Sequence, residues 1–196
     1  GMVFSVKGAH DVTVSGFEFR HNRMPTAQWS MTSLSSCSRV TLADCAFALA
    51  DFCGLAVSHS TNCVVQRCDA SFNGNTGITL YHADDCIVED SRMNFNNYRH
   101  FYPFWHAGGM KSIPANRRCI VRRCEAAYNV VSAGIWFDAD NEDVQILDSV
   151  CHHNGGEGIM YEINPGGGLI AGNLCYANRL RGIYCSGSQR TWIVHN

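Results

Sequence analysis

Asp138 and Glu162 stand 24 residues apart, and each falls four places after a glycine that opens a Gly-Ile pair, Gly134-Ile135 and Gly158-Ile159. Two carboxylates presented side by side can share acid–base work. Like charge at short range raises the pKa of one member, so one acid is protonated to donate and the other ionised to attack. For that chemistry the fold must bring two distant segments of chain into contact.

The spacing of the glycines supplies the means. Glycine-apolar pairs recur at Gly54-Leu55, Gly77-Ile78, Gly109-Met110, Gly134-Ile135, Gly158-Ile159 and Gly182-Ile183, at intervals of 23, 32, 25, 24 and 24 residues. Asparagines precede most of them (Asn73, Asn129, Asn154, Asn178), and Cys68 and Cys124 or Cys63 and Cys119 hold matching earlier places. A period of this length marks a solenoid. "GITLY", "CIVRRC" and "VQILDS" alternate like short strands bounded by turn residues, and no segment sustains a helical period. Successive copies would stack as parallel strands about 4.8 Å apart, each coil burying its apolar face on the next. The asparagines suit turns, where Asn tolerates a left-handed backbone and can bond to its equivalent one coil away. Cysteines would fill the core in columns, Cys63, Cys86 and Cys119 in one and Cys45, Cys68 and Cys124 in another.

Alternation then assigns faces. The inner set is Leu55/Val57, Ile78/Leu80, Met110/Ser112, Ile135/Phe137, Ile159/Tyr161 and Ile183/Cys185. Lys111, Trp136, Asp138, Glu162, Tyr81 and Tyr184 fall on one outer sheet, with Asp138 beside Glu162 across a single rung. That spacing suits the roughly 5–5.5 Å carboxyl separation of a retaining glycosidase better than the wider gap of an inverting one. Lys111 lies on a diagonal from Asp138, placed to stabilise the ionised acid or hold a substrate hydroxyl. Trp136 would offer a face for a sugar to stack on.

The totals fit one domain spanning 1–196, and both ends read as repeats already under way, as in a piece of a longer solenoid. A formal charge of −2 without Lys or Arg runs argues against nucleic acid or an anionic membrane as main partner. No apolar stretch approaches the roughly 20 residues of a membrane span, and no signal-peptide pattern is visible. Eleven cysteines lack the paired spacing of a zinc site; as free thiols they would suit a reducing or anaerobic setting.

The Asn-x(3–4)-Gly-Ile pattern and the stacked small residues resemble the right-handed parallel β-helix proteins of the pectin-lyase-like superfamily, over the whole chain. The resemblance implies an all-β fold, a single-stranded right-handed parallel β-helix of about eight coils, a polysaccharide or oligosaccharide partner, and a secreted or periplasmic location. Locally, "GIWFD" followed one coil later by "GIMYE" resembles the β-helical β-xylosidases among glycoside hydrolases. That likeness implies Asp138 as nucleophile and Glu162 as general acid/base.

Three functions stay open at this stage. The first is a retaining glycoside hydrolase acting on plant or microbial polysaccharide, centred on Asp138, Glu162 and Lys111 and needing no cofactor. The second is a polysaccharide lyase with Lys111 as base and Ca²⁺ held by Asp138, Asp140, Glu162 and Asn164. The third is a non-catalytic, carbohydrate-binding or structural solenoid. The 32-residue interval carries an insertion, "NNYRHFYPFWHAGGMK", whose rings would wall a sugar subsite with Trp105 and His106 nearest the acids, or pack as a satellite core. His59 and His82 share a column as a candidate metal pair.

Overall fold

The computed structural model describes residues 1–23 and 30–196. Among these there are only short strands and no helix. Two parallel sheets of eight strands each run the length of the chain, with shorter strands forming a third face. The front sheet comprises Phe4–Lys7, Ser30–Ser35, Cys53–Ser58, Thr76–Tyr81, Gly108–Ser112, Ala133–Asp138, Ile159–Glu162 and Ile183–Ser186, in that order. Each strand pairs with its counterpart one coil away, so the chain is a parallel β-helix of about eight coils.

The Gly-Ile register is as the sequence predicts: Leu55, Ile78, Met110, Ile135, Ile159 and Ile183 are successive Cα partners. Glycine is required because the coils approach too closely for a side chain. A Cβ at Gly134 would lie 2.7 Å from the Gly158 carbonyl and 2.9 Å from the Asn154 amide. The inner residues are buried as expected except on the last front strand, where Ile183 is half-buried and Cys185 exposed. Ser112, the polar member, is satisfied by a bond to Asn141 at 3.2 Å and one from Asn116 at 2.9 Å.

Two buried asparagine ladders close the corners. In one, Asn73, Asn96, Asn129, Asn154 and Asn178 pass side-chain and backbone N–H bonds from coil to coil. In the other, Asn116 donates to Asn141 and Asn141 to Asn164. The left-handed backbone falls elsewhere than the expectation. It belongs to the residue before each asparagine, Phe72, Phe95, Tyr128, His153 and Ala177. The first four stack as an outer column, with ring centroids 4.8, 4.9 and 5.0 Å apart. Asparagine is there because its amide both donates and accepts, replacing backbone bonds lost at the corner.

A second left-handed column alternates in charge: Asp44, Arg67, Asp90, Arg123, Asp148. Arg67 grips Asp44 through two bonds of 2.8 and 2.9 Å, and Arg123 grips Asp90 likewise at 2.8 Å. Exposed pairs of this kind add little stability individually.

The first cysteine column forms as predicted, and the second is interrupted by a serine. Cys63, Cys86 and Cys119 sit at successive inner places; the Cys119 thiol and then burial push Cys86 up to about 12, with Cys63 opposing. Ser91 occupies the rung between Cys68 and Cys124. Nine of the eleven thiols are buried, Cys175 is half-buried and Cys185 exposed. In the native chain an aromatic disulfide reagent should therefore react at once with Cys185, slowly with Cys175, and with the other nine only on unfolding. Immediate reaction of several thiols would contradict the packed interior.

Candidate active site

The outer face of the front sheet brings together four residues from three successive strands. Lys111 pairs with Trp136, and Asp138 pairs with Glu162, as the spacing predicts. Lys111 crosses the diagonal and its ammonium meets Asp138 Oδ2 at 2.9 Å. The same ammonium donates to the Trp105 carbonyl at 2.6 Å and lies 3.2 Å from the centroid of a Trp136 ring. The Lys111 side chain is 1% exposed and that of Asp138 13%.

Burial sets the electrostatics. It pulls the Lys111 pKa down, while the Asp138 carboxylate pulls the other way. Glu162 is raised, first by burial and then by the Asp138 charge, with Lys111 opposing. Asp138 thus has one oxygen fixed by a cation, and its Oδ1 accepts no hydrogen bond among the described residues. Glu162 beside it is biased toward the protonated acid. One carboxylate held by a cation and one carboxyl with a raised pKa thus stand across a single rung.

The insertion covers Lys111 on this face. Asn97 ties it down, bonding the Phe101 N–H and carbonyl at 2.9 and 3.1 Å and the Val130 carbonyl at 2.9 Å. Phe101 meets buried Phe52 edge-on, with centroids 5.2 Å apart. That part is a satellite core; Tyr102, Phe104 and Trp105 keep substantial exposure.

Several assigned binding residues take other roles. Trp136 points outward, but the loop and Lys111 bury it to 1% exposure, so it is a cation-holding wall rather than a stacking platform. Its indole N–H makes no hydrogen bond of ordinary geometry and has only a minor pull on the Glu162 carboxylate. Trp105 reaches the site through its carbonyl. His106 turns away from the acids, its Nδ1 3.0 Å from both Asn75 Oδ1 and Thr76 Oγ1. Burial, then the Lys111 charge, pushes the His106 imidazole down to about 3, so it is neutral. Tyr81 lies two rungs from Asp138 and is 41% exposed, against His59 and His82, whose rings are 5.1 Å apart. Tyr184 carries Arg181 over its ring at 4.3 Å.

The proposed Ca²⁺ ligand set does not assemble. Asp140 and Asn164 are misaligned because the turn after Asp138 holds an extra residue: Ala139 and Asp140 are both left-handed where the next coil has Ile163 alone. Asn164 therefore enters the buried ladder, its amide donating to the Phe137 carbonyl at 3.0 Å.

Two further residues escape a reading confined to the strand alternation. Glu157, buried just before Gly158, accepts a bond from Arg181 at 2.9 Å. The signal was the residue preceding each glycine pair, since Cys53, Thr76, Gly108 and Ala133 form that same column.

Fold and site together define the class. The chain belongs to the right-handed β-helix region family, whose pattern matches residues 3–196. Two solved structures share the fold. One is a mutant of the periplasmic alginate epimerase AlgG, at 13% identity and TM-score 0.72, covering 98% of this chain and 48% of that one. The other is pectate lyase Pel9A, at 14% identity and TM-score 0.57, covering 89% and 58%. The chain thus spans about half the length of each, and at such identities the likeness is one of fold. No curated protein matches the sequence.

Proposed function

We propose that this chain carries the catalytic acids of a retaining glycoside hydrolase acting on plant or microbial polysaccharide outside the cytoplasm. The supporting observation is the single-rung pair, with Asp138 charge-fixed by Lys111 and Glu162 raised beside it. Glu162 would give its proton to the glycosidic oxygen as Asp138 Oδ1 attacks the anomeric carbon. Glu162, now ionised, would then deprotonate the water that releases the sugar from Asp138. Strand spacing of about 4.8 Å favours this over inversion, which needs carboxyls roughly 6.5–9.5 Å apart to admit water.

The similarity to a pectate lyase and an alginate epimerase supports a carbohydrate substrate and a non-cytoplasmic setting. The lyase reading is weaker for Lys111, whose ammonium is enclosed and already engaged by Asp138, Trp105 and Trp136. The test is incubation with a polysaccharide panel, following reducing ends, ultraviolet absorbance and the anomer released. New reducing ends with retained configuration and no absorbance gain are expected. An unsaturated product would replace hydrolysis with elimination, and binding without any product would favour a non-catalytic solenoid.

A further inference from the structure

Beside the acid pair, toward the start of the same strands, lies a groove of about 150 Å³. Phe104 from the insertion, Leu180, Met160 and Trp136 give it apolar walls, and Glu157 lies among them. The Glu157 side chain is 4% exposed. Its Oε1 accepts from Arg181 at 2.9 Å, whereas Oε2 accepts nothing among the described residues. An enclosed carboxylate among apolar groups is unfavourable unless it is fully bonded. Sugar rings supply what this setting lacks: hydroxyl donors on their rim and an apolar C–H face for a ring such as Phe104.

Position links the groove to the chemistry. Met160 and Glu162 are same-face neighbours two residues apart on one strand, about 7 Å, the scale of one sugar unit. The charges restrict what can enter. Asp138, Glu157 and Glu162 lie on this face, and the cations among them are committed, Lys111 to Asp138 and Arg181 to Glu157 and Tyr184. Only Arg179, exposed on the outer wall, has no side-chain partner among the described residues.

We propose that the groove is the sugar-binding subsite next to the acid pair, and that Glu157 makes it take a neutral sugar rather than a uronate. This rests on the glycosidase reading above. One ring hydroxyl donates to Glu157 Oε2 while the ring lies against Phe104 and Leu180; a uronate carboxylate would instead meet the Glu157 charge.

The experiment titrates the full chain bearing Glu162→Gln, which holds a ligand without turning it over. The probes are cello- and xylo-oligosaccharides against oligogalacturonates and alginate oligomers, measured calorimetrically. Neutral oligomers should bind at least about tenfold more tightly, and adding Glu157→Gln or the surface change Phe104→Ala should weaken them by about tenfold. With the acid pair intact, the same two changes should raise KM more than they lower kcat. Equal or tighter binding of the acidic oligomers, especially if Arg179→Ala abolishes it, overturns the proposal. So does neutral-sugar binding that neither change affects, or no binding of any probe. The glycosidase reading fails separately, if the unaltered chain releases no reducing ends whatever the groove holds.

Discussion

Glu162→Gln should lower hydrolysis about 10²–10⁴-fold, the loss typical of a general acid, and at the same time make the folded chain more stable at neutral pH. The two effects share one cause. Burial and the Asp138 charge raise the Glu162 pKa above its ordinary value, so the folded state binds the proton more tightly than the unfolded one. Stability from this group is then complete below the unfolded value near 4.5 and is lost as pH rises through the folded value. Gln imitates the protonated form and does not ionise, so the variant escapes that loss. Denaturant unfolding of both proteins should nearly coincide at pH 4 and separate, variant higher, at pH 7. Any hydrolysis by the unaltered chain should decline over the same upward interval, as Glu162 loses its proton. Unchanged turnover in the variant would remove Glu162 from the chemistry, and a variant less stable at pH 7 would show that its environment does not favour the neutral acid.

Lys111→Met should destabilise the chain by about 3–5 kcal/mol, the range for breaking one side of a buried ion pair. Methionine fills similar space, so the cost is electrostatic: Asp138 loses its counter-charge and the Trp105 carbonyl its donor. For a chain of this size that is a fall in Tm of roughly 6–20 °C. Adding Asp138→Asn should restore part of it, since the partner left unpaired is then neutral, and the cycle of four proteins measures the coupling. Amide exchange in residues 98–106 should quicken in Lys111→Met, because the ammonium pins that insertion to the sheet. A loss below about 1 kcal/mol, the level of an exposed pair, would mean that Lys111 is not the tie between loop and sheet.

The acid pair was legible in the sequence because it depends only on register, and register here is over-determined. From Gly54 to Gly158, each such glycine is fixed by a carbonyl and an amide that leave no room for Cβ, and each following apolar residue by the core. Counting four residues on from either glycine reaches a carboxylate. What could not be counted was the turn beyond. The extra left-handed residue after Asp138 moves Asn164 from the surface into the ladder, and alignment by equal numbers misplaced it. Burial of Trp136 was likewise hidden, since strand alternation gives direction and not what lies on top. The cover comes from an insertion whose path is set by Asn97 and by Phe101 against Phe52, contacts without periodicity. His106 turned out to face Asn75 and Thr76 for the same reason. Left-handed positions were assigned to Asn from its intrinsic tolerance, yet aromatic rings stacked across coils hold them instead.

The alternating column from Asp44 to Asp148 restricts how such a cylinder can change length. Excising the stretch from Arg67 to Glu89 would set Asp90 directly above Asp44, anion on anion. Excising Arg67 to Arg122 would set Arg123 there instead and restore a bidentate grip. On that edge, a change of two coils keeps the pairing and a change of one breaks it, a small preference written in surface charge.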